Sequence, residues 1–216
     1  MNKIQSIFFD LDGTLVHTGP DLVKSLNYLL IKNKLPKVSL DLIDDLVGGG
    51  AKQMIKKGFN FFNKHIKNED MEFLVEEFLI YYEKNCSVKS IPYEGVIKTL
   101  EKMNSLKINL YVCTNKKQHL AEKVLKELKL SKYFSYILGS RPNLKLKPNI
   151  EMLNFLVQKS KCSTQNILMI GDSVNDIQPS NELGIKSVYV KYGYGSLKDL
   201  QPNYQVERFN QILSLI

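Results

Sequence analysis

The chain is poor in arginine, with only Arg141 and Arg208, holds just three cysteines and has no long apolar run. Each shortage excludes something. A bilayer-spanning helix needs about 18 or more consecutive apolar residues, so no membrane span is expected. Met1-Asn2-Lys3 leads into a short strand-like run rather than an apolar leader, and the expectation is a cytoplasmic protein. Cys86, Cys113 and Cys162 are odd in number, far apart and without metal-ligand spacing. They read as reduced thiols, not as a disulfide framework or a zinc site. The formal net charge is +8, yet the lysines are spread over the whole chain. Nucleic-acid binding needs a clustered basic face, so no nucleic-acid partner is expected. Solvated lysines of this kind help to attract small anions, an effect that salt weakens.

What is present is alternation. At 216 residues the chain can bury a full core and still carry an insert. Strand-like runs fall at residues 4–9, 108–113, 136–138, 167–170 and 187–190. Helix-like segments at 95–106, 117–128, 150–159 and 177–183 show apolar residues at three- and four-residue spacing. Strand and helix in turn predict an α/β fold, a Rossmann-like parallel sheet covered on both faces, with reactive groups at the carboxyl ends of its strands. One region breaks the pattern. Between about 20 and 87 only helical periodicity is visible, over 21–32, 40–46, 51–64 and 69–85. Pro20 suits a first helical turn and Ser39 a helix cap. The expected division is therefore a core made of residues 1–16 and 88–216, with a helical insert over 17–87.

The residues at the expected strand ends carry the chemistry. Ile7-Phe8-Phe9 delivers Asp10-Leu11-Asp12-Gly13-Thr14, the run ending in Cys113 delivers Thr114-Asn115, and Ile170 is followed by Gly171-Asp172-Ser173. A fourth element, Lys147-Pro148, sits just before a helix. A single strand-end Asp is most often a helix cap; four polar, ligand-capable elements in one chain point to a site.

In type and order these elements resemble the haloacid dehalogenase superfamily of phosphatases. Asp10-Leu11-Asp12-Gly13-Thr14 resembles its first motif, Thr114 its second, Lys147 its third and Gly171-Asp172-Ser173-Val174-Asn175-Asp176 its fourth. The insert is similar to the family's helical cap of the first type, and about thirty residues between the second and third motifs leave no room for the alternative cap. The resemblance implies Asp10 as nucleophile, Asp12 as general acid and base, and Thr114, Asn115 and Lys147 as holders of the phosphoryl oxygens. It implies Mg²⁺ held by Asp10, Asp172 and the backbone carbonyl of Asp12, with Asp176 orienting Lys147 or the metal's waters.

The residue types suit those roles. A carboxylate attacks phosphorus without first losing a proton, and the aspartyl-phosphate divides one hard transfer into two. Its approach to a phosphate dianion needs counter-charge, which Mg²⁺ and Lys147 would supply. Asp12 must begin protonated to serve a leaving alkoxide; Asp10 and Asp172 push it that way and the metal opposes them. Dehalogenases need no such acid, so Asp12 favours phosphate esters.

The implied substrate is a small phosphorylated metabolite, with 2-phosphoglycolate foremost. A sugar phosphomutase, a pyrophosphatase and a nucleotidase remain rivals on the same fold, and the protein is expected as a monomer or homodimer. A receiver-like phospho-acceptor is disfavoured, because receivers place their Asp later and carry no helical insert. Gly48-Gly49-Gly50 reads either as a loop approaching the substrate or as a plain helix-helix turn. His17 departs from the Asp common in phosphoglycolate phosphatase-like members, and Ile150 from a second proline. His17 either adds positive charge near an acidic substrate or packs at a hinge, the second reading being preferred. Cys113 reads as strand packing rather than as a nucleophile, and His65 and His119 as exposed helix residues.

Overall fold

The protein is described from a computed structural model over residues 3–216. Met1 and Asn2, which open the expected core segment, lie outside the described residues.

The first apolar run forms β1 (Ser6–Phe9), buried along its whole length. A turn leads to the two-residue β2 (Val16–His17), and then come α1 (Gly19–Lys32), α2 (Ile43–Leu46), α3 (Ala51–Phe61) and α4 (Asn68–Asn85). The chain returns through β3 (Ile91–Pro92), which pairs antiparallel with β2, so the helical segment leaves and re-enters across a two-stranded ribbon. The remaining elements alternate: α5 (Val96–Ser105), β4 (Asn109–Lys117), α6 (Gln118–Glu127), β5 (Tyr136–Ser140), α7 (Glu151–Ser160), β6 (Ile167–Gly171), α8 (Val174–Glu182), β7 (Lys186–Val190) and β8 (Tyr204–Val206).

Six strands form one sheet in the order β5-β4-β1-β6-β7-β8, and every pairing is parallel. Successive residues of β1 point to opposite faces. Ile7 and Phe9 pack with Leu100, Val124 and Ile212 on one side, while Phe8 packs with Met152, Leu156 and Met169 on the other. Burial on both faces explains why these strands read as continuous apolar runs. The register fixes the functional edge: Phe9 lies opposite Val112 and Ile170, so Asp10, Cys113 and Gly171 come next at the same level.

The helical segment is anchored at its neck. Pro20 stands in the first turn of α1, and Ser39 Oγ accepts the Asp41 N–H at the short 3₁₀ turn ahead of α2. Asp21, fully buried, accepts hydrogen bonds from the backbone N–H groups of Lys89 (2.9 Å) and Ser90 (2.8 Å) and from Ser90 Oγ (2.8 Å). Its charge is spent tying the returning chain to the start of α1. Apolar packing runs from the sheet into the helices, since Leu26, Ile55 and Phe78 join the cluster that contains Ile7 and Val112.

Several elements differ from the sequence expectation. β8 and the β2–β3 ribbon were not anticipated; two or three residues are too few to show a period. The helix expected over 51–64 ends at Phe61, because Asn63 adopts a left-handed conformation (φ 53°) that a helix does not continue through. Residues 40–42 form a 3₁₀ turn rather than the first turn of an α-helix. β4 extends four residues beyond the expected end at Cys113, to Lys117, with an irregularity in its pairing between those two positions. Among the described residues no helix is long and apolar enough to cross a membrane.

Candidate active site

Asp10 continues the β1 ladder, donating its N–H to Ile170 O (2.9 Å), and the chain then turns sharply at Gly13 (φ 85°). A Cβ at Gly13 would stand 2.2 Å from Asp172 Oδ2, so only glycine lets the β1 turn pass the neighbouring strand end. Lys147, just ahead of α7 and 3% exposed, drives its ammonium into the same edge. Nζ donates to Asp10 Oδ1 (2.9 Å), Asp176 Oδ1 (2.5 Å) and Cys113 O (2.6 Å), which uses all three of its protons.

Asn115 has a role that motif spacing does not reveal. Its side chain donates to Lys147 O (2.8 Å) and accepts from Lys147 N (2.9 Å), a two-bond splint that fixes the lysine's backbone. Asp176 likewise serves two elements. Besides Lys147, it accepts from Ser173 N (3.2 Å) and Ser173 Oγ (3.0 Å), closing a capping box on α8. Asp172 Oδ2 accepts the N–H groups of Tyr194 (2.8 Å) and Gly195 (3.1 Å).

Crowding shapes the electrostatics. Burial, with Asp176 and Asp12 adding to it and Lys147 opposing it, pushes the Asp10 carboxyl up to about 7. Burial and then the charges of Asp10 and Asp176 raise Asp172 well above the usual carboxylate range. Oxygens of Asp10, Asp172 and Asp176 lie within 4.8 Å of one another. One lysine does not balance three buried carboxylates, and an all-oxygen set of this kind suits a hard divalent cation such as Mg²⁺. Both Asp176 oxygens are already engaged, which leaves Asp10 and Asp172 as the side chains free to turn toward an ion. Cys113 is wholly buried and its thiol is pushed up to about 12 by burial, so it is inert as a nucleophile.

Asp12 lines the same cavity but stands outside the cluster formed by Asp10, Asp172 and Asp176. Its Oδ1 accepts from Thr18 Oγ1 (2.6 Å), and Lys116 Nζ donates to both of its oxygens (2.8 and 2.9 Å). The sequence reading weighed only Asp10, Asp172 and a metal around Asp12; the structure corrects this by setting a buried cation directly against it. Lys116 itself lies 4.7 Å from the ring centroid of Tyr82 on α4.

A cavity of about 280 Å³ lies between this edge and the helical segment, and Asp10, Asp12, Thr114, Asn115, Lys147, Asp172 and Asp176 all line it. Gly48, Gly49 and Gly50, all at positive φ, line the opposite wall, which favours the substrate-approaching reading of that loop. His17 is not among the lining residues. Its Nδ1 shares hydrogen bonds with Tyr194 Oη (2.7 Å) and Tyr93 Oη (3.4 Å) at the ribbon, in line with the hinge-packing reading. Tyr194, on which the sequence placed no weight, proves central: its N–H holds Asp172 while its hydroxyl also accepts from Gly19 N (2.8 Å) at the start of α1. His65 and His119 are exposed.

Comparison with known proteins shows the family to which the chain belongs. Residues 7–190 match the haloacid dehalogenase-like hydrolase family. A phosphoglycolate phosphatase of Agrobacterium fabrum is 36% identical over 203 residues, covering 93% of this chain and 87% of that protein. An N-acetylmuramic acid 6-phosphate phosphatase of Pseudomonas aeruginosa is 29% identical, covering 89% and 84%. A crystal structure of a predicted phosphoglycolate phosphatase from Haemophilus somnus superposes with a TM-score of 0.91 at 29% identity, covering 100% of this chain and 99% of the other. The motif residues meet at one strand edge and the relatedness spans nearly the whole chain: the protein belongs to the haloacid dehalogenase-like hydrolases and is a phosphatase acting on phosphate esters.

Proposed function

We propose that this enzyme hydrolyses 2-phosphoglycolate with Mg²⁺, through an aspartyl-phosphate on Asp10 and with Asp12 as general acid and base, residues 17–87 acting as a cap over the site. The observation that carries this reading is the convergence of Asp10, Lys147 and the Asp12 carboxylate on one small cavity. The names of relatives such as the Agrobacterium fabrum phosphatase support the substrate.

In this reading Lys147 holds the Asp10 carboxylate in place for attack on phosphorus and offsets the charge gathering there. Thr114 hydroxyl and the Asn115 N–H donate to the phosphoryl oxygens, where the transition-state charge is spread. Once Lys116 releases one of its two oxygens, Asp12 gives a proton to the departing oxygen of glycolate, then takes one from the water that hydrolyses the aspartyl-phosphate. Mg²⁺, held by the carboxylates of Asp10 and Asp172 and the carbonyl of Asp12, would supply the remaining counter-charge on phosphate. Opening at the β2–β3 ribbon would admit substrate, and closure would exclude bulk water.

A sugar phosphate fits less well. Val75, Phe78 and Leu79 from α4 form an apolar wall that would leave sugar hydroxyls without partners. The test is phosphate release with Mg²⁺ from a panel holding 2-phosphoglycolate, hexose phosphates, a nucleotide and pyrophosphate. The expected result is that phosphoglycolate leads in kcat/KM by about tenfold or more; a hexose phosphate in first place would overturn the assignment.

A further inference from the structure

The cavity holds one buried cation to which the phosphoryl reading assigns no partner on the substrate. Four lysines line it. Lys147 has all three donors committed to Asp10, Asp176 and Cys113 O, Lys117 is exposed, and Lys52 is an exposed residue paired with exposed Glu72. Lys116 is different, at 8% exposure, with Nζ between the Asp12 carboxylate and the face of Tyr82.

Placement gives this cation its meaning. Asp12 is the group that serves the leaving oxygen, and Lys116 Nζ lies 2.8 and 2.9 Å from its two carboxylate oxygens. The ammonium therefore stands beside the group that serves the leaving oxygen, where a charged substituent on the leaving alcohol would meet it. Asp12 does not depend on Lys116 alone, because Thr18 Oγ1 donates to Asp12 Oδ1 at 2.6 Å. One of the lysine's two contacts can pass to a ligand without leaving the Asp12 carboxylate unpartnered. The surroundings sharpen the choice. Leu22, Met54, Val75, Phe78 and Leu79 line the same cavity without a polar side chain, and Lys116 is the buried lysine there that is not committed to Asp10 and Asp176.

We infer that Lys116 is a specificity-determining residue, which selects phosphate esters whose leaving alcohol carries a carboxylate beside the ester carbon. This rests on the phosphoglycolate reading and extends it, by naming the residue that distinguishes a 2-hydroxy acid from a neutral alcohol of the same size. Lys116 belongs to β4 and Tyr82 to α4, so the selecting cation sits where the sheet edge meets the helical segment. Such a residue senses the leaving group only when the two are packed together.

The experiment compares kcat/KM for 2-phosphoglycolate and for 2-hydroxyethyl phosphate, in the wild type, Lys116→Met and Lys116→Gln. Met keeps the apolar stem beside Tyr82; Gln keeps an N–H donor for Asp12 and removes the charge. The wild type is expected to favour the acid by about a hundredfold, and both variants to bring that ratio to within about threefold of one, chiefly through KM for the acid. A residue that only positioned Asp12 would lower both substrates alike and leave the ratio unchanged, which would overturn the inference. Should Lys116→Met fail to give folded protein by thermal melting, Lys116→Gln decides on the same ratio. A wild type without preference for the acid would instead overturn the substrate reading itself, before any variant is read.

Discussion

Gly13 shows how narrowly a single residue holds this site. It must take a positive φ to turn the chain after Asp12, and its missing Cβ is the space that Asp172 Oδ2 and the Tyr194 ring fill. Gly13→Ala is expected to cost about 2–4 kcal/mol of stability, from backbone strain and overlap together, and to lower kcat by displacing Asp172. Thermal unfolding beside a turnover assay checks this; an active variant of unchanged melting temperature would contradict it. Glycine at this position was visible in the sequence, as were Asp10, Thr114, Lys147 and Asp172, because each stands directly after a strand or before a helix in a local pattern. Lys116 was not, since its partner Asp12 lies 104 positions away and nothing local marks a buried lysine. Tyr194 escaped for the same reason, meeting His17 across 177 positions.

The elements that position the insert are short and depend on polar contacts. The β2–β3 ribbon has two residues per strand, so its hold comes from Asp21 on Lys89 and Ser90 and from the His17, Tyr93 and Tyr194 cluster beside it. No periodicity betrays elements of that length, whereas the long runs of β1, β4 and β6 declared themselves through burial on both faces. Burial lowers the affinity of His17 for a proton below that of an exposed imidazole. With the folded value below the unfolded one, the neutral ring is favoured by folding. Stability is full above pH about 6.5, the unfolded value, and falls as the pH drops below it. Melting temperature between pH 7.5 and 5 should therefore fall more steeply for the wild type than for His17→Gln; parallel curves would show that His17 takes no part in the hinge's pH response.

At the scale of the whole molecule, the strand order does the assembling. β1 lies between β4 and β6, so Asp10 and Asp172, just past two strand ends, and Thr114, within the extended β4, come to one edge, and the helical segment covers that edge with Gly48, Gly49, Gly50 and Tyr82. Alternation of strand and helix made this architecture readable in advance, while the extent of the sheet at β8 and the facing of each cavity wall depended on packing between distant segments. The central claim is that the phosphoryl group passes through Asp10. Acid-quenching the enzyme during turnover of 2-phosphoglycolate with Mg²⁺, followed by peptide mass spectrometry, tests it most directly. The account predicts one phosphoryl group on the peptide containing Asp10, released by hydroxylamine, and neither label nor turnover in Asp10→Asn. A phosphoryl group on another residue, or sustained turnover by Asp10→Asn, would contradict it.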